Sequence, residues 1–152
     1  MLNVTVRQAR DADRAQLIAI FAACRQRDFS WLPPEAMTVE DFSGALEGET
    51  VFVAERSGEL LGLLTLWEPG RFIHFLFVAP PFQGQGVANQ LVARMVADYA
   101  PPYRLKCLDK NLRALKYYRR EGWREVGRGD DLDGAHRVLE LDRRPRSEQG
   151  RD

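Results

Sequence analysis

Cysteine is scarce in this chain: of 152 residues only Cys24 and Cys107 are cysteines, far apart and each inside an apolar segment. Two thiols so placed exclude a disulfide framework, and no Cys-x-x-Cys or Cys/His spacing suits a metal, so no metal is expected. Both read as buried thiols in a reducing compartment. An excess of one charge is missing too. Basic and acidic residues number 22 each, which leaves no overall field to draw in nucleic acid or an acidic membrane surface. Near the start, Arg7, Arg10, Asp11, Asp13 and Arg14 break up any apolar run. That stretch reads as neither a signal peptide nor a membrane span, and a cytoplasmic protein is expected. No Ser/Gly linker, internal repeat or low-complexity segment divides the chain. The expectation is one domain over residues 1–142, followed by a polar, disordered tail at 143–152.

What is present is an alternation of short strands and amphipathic helices. Residues 3–7 alternate as a strand, and Asp11 offers an N-cap to a helix whose apolar face is Leu17, Ile20, Phe21 and Cys24. A loop with Phe29, Trp31, Pro33 and Pro34 follows, and then a capping pair, Thr38 and Asp41, before Val39, Phe42 and Leu46. The apolar runs 51–56 and 60–67, joined by Ser57-Gly58-Glu59, predict a hairpin, and 72–78 a fourth strand. Val87, Leu91, Val92, Met95, Val96 and Tyr99 recur at helical spacing until Pro101-Pro102 stops them. A strand at 103–108, a helix at 111–121 ended by Gly122, and a strand pair at 123–128 and 137–141 complete the reading.

The most telling stretch is Leu76-Phe77-Val78-Ala79-Pro80-Pro81-Phe82-Gln83-Gly84-Gln85-Gly86-Val87-Ala88, an apolar strand that passes through a glycine turn into a helix. The first amides of a helix lack intrahelical partners and carry the positive end of its dipole, so they form a socket for an anion. Glycines at 84 and 86 let a diphosphate approach the backbone. A Gly-x-Gly between strand and helix can also be a mere tight connection, or part of a dinucleotide-binding fold with Asp109 at the end of the next strand. The dinucleotide reading fits worse: Asn89 stands where its third glycine belongs, and too little chain remains for repeated βα units.

Together these features resemble the GNAT superfamily, the acyl-CoA-dependent N-acetyltransferases, over nearly the whole chain to about Leu141. That family follows its fourth strand with Gln or Arg, two residues, Gly, one residue, then Gly or Ala; here the segment is Gln83-Gly84-Gln85-Gly86-Val87-Ala88. A second family element is matched by Asn111, Ala114, Tyr117-Tyr118 and Gly122-Trp123, with Trp where Phe is usual. The resemblance implies an α/β fold of the α+β type. Its mixed, mostly antiparallel sheet would have six to seven strands and about four flanking helices. Acetyl-CoA is the implied cosubstrate. Residues 83–89 (Gln83, Gly84, Gln85, Gly86, Val87, Ala88 and Asn89) would hold its pyrophosphate, while the backbone near Phe77 and Val78, with Asn111, would hold its pantetheine arm.

The implied reaction is acetyl transfer to a primary amine by direct attack in a ternary complex. Tyr118 would be the general acid on the departing thiolate; an ordinary phenol, with a pKa of about 10, lies within about two units of a thiol. Without the motif, Tyr118 reads as a half-buried aromatic. An ammonium must lose a proton before it attacks, and His74, the one ionisable side chain of the fourth strand, is the candidate base where several family members place a carboxylate. A buried histidine bonded to a neighbouring strand is its plain alternative, and Glu68, Asp28 and Tyr103 are fallback bases acting through water. Asn111 reads equally as a helix N-cap. Phe29, Trp31 and Trp67 are candidates to wall the acceptor pocket, or ordinary core. No carboxylate cluster is evident there in the sequence, so small-molecule and peptidic amines, including a protein N-terminus or lysine, stay open as acceptors. Homodimers are an expectation of the resemblance through exposed strand edges. The rival from another class is a non-catalytic acyl-CoA-binding sensor or interaction module of the same fold.

Overall fold

Val51 and Val53 pack to one side of the sheet, Phe52 and Ala54 to the other, and all four are buried. A strand so patterned has to be covered on both faces. In the computed structural model, which describes residues 2–142, the first half comprises β1 (Thr5–Gln8), α1 (Arg14–Asp28), α2 (Val39–Gly48), β2 (Thr50–Arg56), β3 (Glu59–Trp67) and β4 (Phe72–Val78). The second half comprises α3 (Val87–Asp98), β5 (Tyr103–Leu108), α4 (Leu112–Arg120), β6 (Arg124–Asp131) and β7 (Gly134–Leu141). The tail expected at 143–152 lies outside the described residues. The seven strands form one sheet in the order β1-β2-β3-β4-β5-β7-β6. Every neighbouring pair is antiparallel except β4 with β5. This is the mixed sheet with four helices expected from the sequence, and it is not the parallel sheet of a dinucleotide fold.

Helices α1 and α2 cover one face through Leu17, Phe21 and Phe42 against Val53, Leu63 and Phe77. The Phe21 and Phe42 rings stack at 4.6 Å. Helices α3 and α4 cover the other face through Leu91, Met95 and Leu115 against Phe52, Leu64 and Ile73. Thr38 and Asp41 cap α2 reciprocally, as their spacing predicts: the Asp41 amide donates to Thr38 Oγ1 at 3.1 Å and the Thr38 amide to Asp41 Oδ2 at 3.0 Å. No helix among the described residues is long and apolar enough to cross a membrane.

Two local expectations are corrected. Asp11 is not the cap of α1; the chain enters through a 3-10 turn at Asp11–Asp13, and the carboxylate that receives a main-chain amide is Asp13, from Arg10 at 2.7 Å. The last hairpin is longer than the apolar pattern of 123–128 and 137–141 suggested. The polar run to Asp131 still pairs with β7, and the Asp133 amide closes the turn by donating to Asp131 Oδ1 at 2.9 Å.

Arg7 ties this entry to the sheet, donating to both Asp13 carboxylate oxygens at 2.8 and 3.0 Å and to Glu55 at 2.9 Å. Asp13 is buried, and the Arg7 guanidinium holds its carboxyl below the usual range against the opposing effect of burial. A lowered folded-state pKa gives stability that is complete above the unfolded value of about 4 and is lost as pH falls through the folded value. Arg7→Met is therefore expected to cost about 2 kcal/mol at pH 7, read as a lower urea midpoint. The gap to the parent narrows below about pH 4. Equal midpoints at pH 7 would show that the pair contributes nothing.

Candidate active site

Parallel pairing of β4 with β5 is confined to Phe72 opposite Arg104 and Ile73 opposite Leu105. Beyond that point β5 stays with β7 to Leu108, and β4 stays with β3 to Val78, so the two central strands part like a wedge. The divergence starts at a β-bulge. Phe75 lies opposite Thr65 and Ile73 opposite Leu66, which leaves His74 as the extra residue of β4. Such a bulge bends the strand and re-aims the side chain it carries. The Phe75 amide donates to the buried Thr65 Oγ1 at 3.0 Å. Further on, the Ala79 amide donates to Leu61 O at 2.8 Å, so by strand alternation Phe75, Phe77 and Ala79 turn their backbones to β3, and Leu76 and Val78 turn theirs to the gap. The Phe77 backbone is thus committed to β3, and the backbone that faces the gap beside Val78 is that of Leu76. The Val78 carbonyl accepts from Gln83 Nε2 at 2.9 Å and from Cys24 Sγ at 3.3 Å, which leaves the Leu76 peptide groups and the Val78 N–H toward the opening.

The chain then turns through Gly84 (φ 79°) and Gly86 (φ 85°) into α3. Nothing lies within 4 Å of where a Cβ on Gly84 would sit, so glycine is needed there for its left-handed backbone and for what must approach it, not for packing. The amides of residues 84–89 have no acceptor among the described residues, and helical bonding resumes only with the Gln90 amide donating to Gly86 O at 3.2 Å. Six consecutive N–H groups at a helix start are left without protein acceptors, an arrangement able to receive an anion.

The socket, the wedge and one face of α4 line a single cavity of about 940 Å³. Gln83, Gly84, Gly86, Val87, Ala88 and Asn89 reach it from the turn and α3; His74, Phe77 and Val78 from β4; Asn111 and Tyr118 from the cap and body of α4; and Phe29 from just beyond α1. Asn111 is the N-cap of α4, accepting from the Ala114 amide at 3.2 Å, and Asn89 accepts from the Tyr117 hydroxyl, which ties α3 to α4. Tyr118 packs edge-on against Trp123 at 5.5 Å, and its hydroxyl makes no hydrogen bond to another described residue. Burial, with Cys107 and Tyr117 as neighbours, pushes its pKa well above that of an ordinary phenol. Burial likewise pushes the Cys107 thiol up to about 12, so it is a poor nucleophile.

Three candidates fall outside the cavity lining. Gln85 turns back, its side chain donating to Pro81 O at 3.3 Å, although its amide belongs to the open row. Trp67 is half exposed with its ring over Gly70, where a Cβ would meet it at 2.7 Å. Trp31 packs on Phe29 at 5.6 Å and supports the wall instead of forming it. Of the fallback bases, Asp28 lines the cavity; the Tyr103 hydroxyl donates to Tyr99 O and Glu68 accepts from Thr50.

Sequence reading did not place several charged residues that line the cavity. Asp28, Glu35 and Asp41 line the cavity from α1, the connecting loop and α2, Lys106 and Asp133 from β5 and the last hairpin, and Arg113, Lys116 and Arg120 from α4. Folding brings Asp28, Glu35 and Asp41, spread over fourteen positions, to the lining of one cavity. The basic row was visible, since residues i, i+3 and i+7 share a helix face. Glu49 was missed as well: its Oε2 lies 2.5 Å from His74 Nδ1.

Residues 14–123 match the profile of the acetyltransferase (GNAT) family. No curated protein matches the chain in sequence. Among solved structures the fold is similar to that of apo YjaB from Escherichia coli (TM-score 0.76, 23% identity, 92% of this chain and 97% of that one). It is similar also to the PaiA N-acetyltransferase from Thermoplasma acidophilum in complex with coenzyme A (0.73, 14%, 91% and 98%). A third is YncA from Salmonella typhimurium, a putative acetyltransferase solved with acetyl-CoA (0.71, 16%, 92% and 94%). With a sheet split between β4 and β5, a row of open amides at the start of α3 and a family profile spanning well over half its length, the chain belongs to the GNAT family of acetyltransferases.

Proposed function

We propose that the protein transfers an acetyl group from acetyl-CoA to a primary amine, in a ternary complex and without an acyl-enzyme step. The observation that carries this reading is that Gly84, Gly86, Val87, Ala88 and Asn89, whose amides have no acceptor among the described residues, line the same cavity as Tyr118, whose hydroxyl makes no hydrogen bond to another described residue. Acetyl-CoA supplies an activated thioester. The amides would take the pyrophosphate oxygens, with Arg113, Lys116 and Arg120 adding positive charge from α4. The free peptide groups of Leu76 and the free N–H of Val78 would pair with the amides of the pantetheine arm as an added strand, which the wedge leaves room for.

The carboxylates Asp28, Glu35 and Asp41 in the cavity lining would favour a cationic acceptor. An alkylammonium with a pKa of about 10 is neutral in only about one molecule in a thousand at pH 7. His74 would accept the proton that must leave before the nitrogen attacks. Tyr118 would donate to the sulfur as negative charge develops there. Its raised pKa keeps that proton in place at any physiological pH and widens the gap to the thiol assumed from sequence, so donation comes late, once the thiolate is nearly free. Cys107 has no part, because its buried thiol has no base to activate it.

The test has two stages. A thermal shift with acetyl-CoA is expected to raise Tm, and a panel of monoamines, diamines and lysine- or N-terminus-bearing peptides is then scored for acceptor-dependent release of coenzyme A thiol. Stabilisation with no release from any amine would favour the non-catalytic sensor. Absence of any stabilisation would count against both readings.

A further inference from the structure

Glu49 follows α2 as its C-terminal cap and precedes β2, with an extended backbone (φ −131°, ψ 161°). Nothing in its sequence context sets it apart from the exposed acids Glu40 and Glu47 nearby. Its side chain, however, is turned inward and only 8% exposed. A carboxylate taken out of water is costly unless it is paired. Oε1 of Glu49 is buried with no hydrogen-bond partner among the described residues, whereas Oε2 lies 2.5 Å from Nδ1 of His74. The carboxylate is thus directed at one group, and that group is the bulged residue of β4.

The imidazole has one edge inside and one outside. Nδ1 meets Glu49, while the side chain remains 46% exposed and lines the cavity, so the ring presents its Nε2 edge to the acceptor side. The Phe72 ring at 4.8 Å flanks it. We infer that Glu49 is a positioning residue for His74, holding the neutral imidazole in the tautomer with its proton on Nδ1 and its lone pair on Nε2, toward the incoming amine. This rests on the assignment of His74 as base in the proposed reaction. The step balances. Nε2 takes one proton from the acceptor ammonium, giving a free amine and an imidazolium, and the Nδ1 proton stays between the ring and the Glu49 carboxylate. A bulge gives this arrangement its geometry, because in a regular strand residues 73 and 75 would share a face and His74 would point to the other.

The primary test needs no acceptor. In the parent protein, 15N shifts of the neutral His74 ring, read at the alkaline end of its titration, should show a pyridine-like Nε2 and a pyrrole-like Nδ1. Glu49→Ala removes the acceptor for the Nδ1 proton and should reverse the two. Glu49→Gln, which keeps a carbonyl in reach, should hold the parental tautomer. A parental ring with its proton on Nε2, or an unchanged tautomer in Glu49→Ala, would overturn the inference. The second test uses the amine that the panel acetylates fastest. Glu49→Ala should lower kcat about 10- to 100-fold, a part of the whole effect of a general base. The loss in Glu49→Gln should be smaller, and KM for acetyl-CoA should stay within about twofold in both variants. On a His74→Ala background Glu49→Ala should have no further effect on kcat. An equal loss on both backgrounds would mean that Glu49 only supports the fold, and would overturn the inference while leaving acetyl transfer intact. If His74→Ala alone retains full kcat, the base assignment fails first, and Glu49 with it.

Discussion

Replacing Gly86 by glutamate is expected to raise the dissociation constant for acetyl-CoA by at least about a hundredfold, the largest effect on binding foreseen for any single change. Gly86 caps α3 with φ 85°, in the left-handed region that costs a side chain about 1–2 kcal/mol. That strain is shared by Gly86→Ala, which serves as its control and should lose binding by no more than about tenfold. The glutamate adds a negative charge where the amides of residues 84–89 converge without acceptors. It would occupy them or repel a diphosphate. Displacing two charge-assisted bonds, each contributing about 1.5–3 kcal/mol, accounts for two orders of magnitude or more. Isothermal titration with acetyl-CoA, alongside a circular-dichroism melt to show that the variant is folded, makes the comparison. Parental affinity in folded Gly86→Glu would mean that the anion does not sit at this turn.

Tyr118→Phe should act on the other half of the reaction. The ring packs between Tyr117 and Trp123 at 5.3 and 5.5 Å, and phenylalanine keeps that packing, so the fold and acetyl-CoA affinity should hold within about twofold. Only the hydroxyl is lost, and it makes no bond to another described residue, so no protein partner is orphaned by its removal. A general acid is worth about 100- to 10,000-fold. We expect kcat to fall by at least about a hundredfold, with slow amines and fast amines affected alike because the departing thiolate is common to both. A variant with parental kcat would remove Tyr118 from the chemistry and leave it as core.

Much of this architecture was legible because its signals are local. Thr38 with Asp41 announces a helix start, Gly122 (φ 99°) a helix end, and the continuous apolar run of β2 a strand covered on both faces. The glycine turn between an apolar strand and an amphipathic helix announces the open amides for the same reason. What the sequence hid depends on registers and on residues brought together from afar. The bulge at His74 arises from how β4 pairs with β3, and no pattern within 72–78 encodes it. That the Leu76 backbone, and not that of Phe77, faces the gap follows from that register. Glu49 meets His74 across 25 residues of sequence, and three scattered acids come to line one cavity only when α1 and α2 close over the sheet. Trp67 misled for the opposite reason: a tryptophan at the end of an apolar strand suggests a pocket, but here its ring covers the Gly70 turn at the far end of the sheet.

A crystal structure with acetyl-CoA bound tests the central claim most directly. The account predicts pyrophosphate oxygens within hydrogen-bond distance of amides in the 84–89 row, the pantetheine arm paired with the backbone of Leu76 and Val78, and the sulfur beside the Tyr118 hydroxyl. A thioester lying elsewhere, or a Tyr118 hydroxyl turned away from the sulfur, would contradict it.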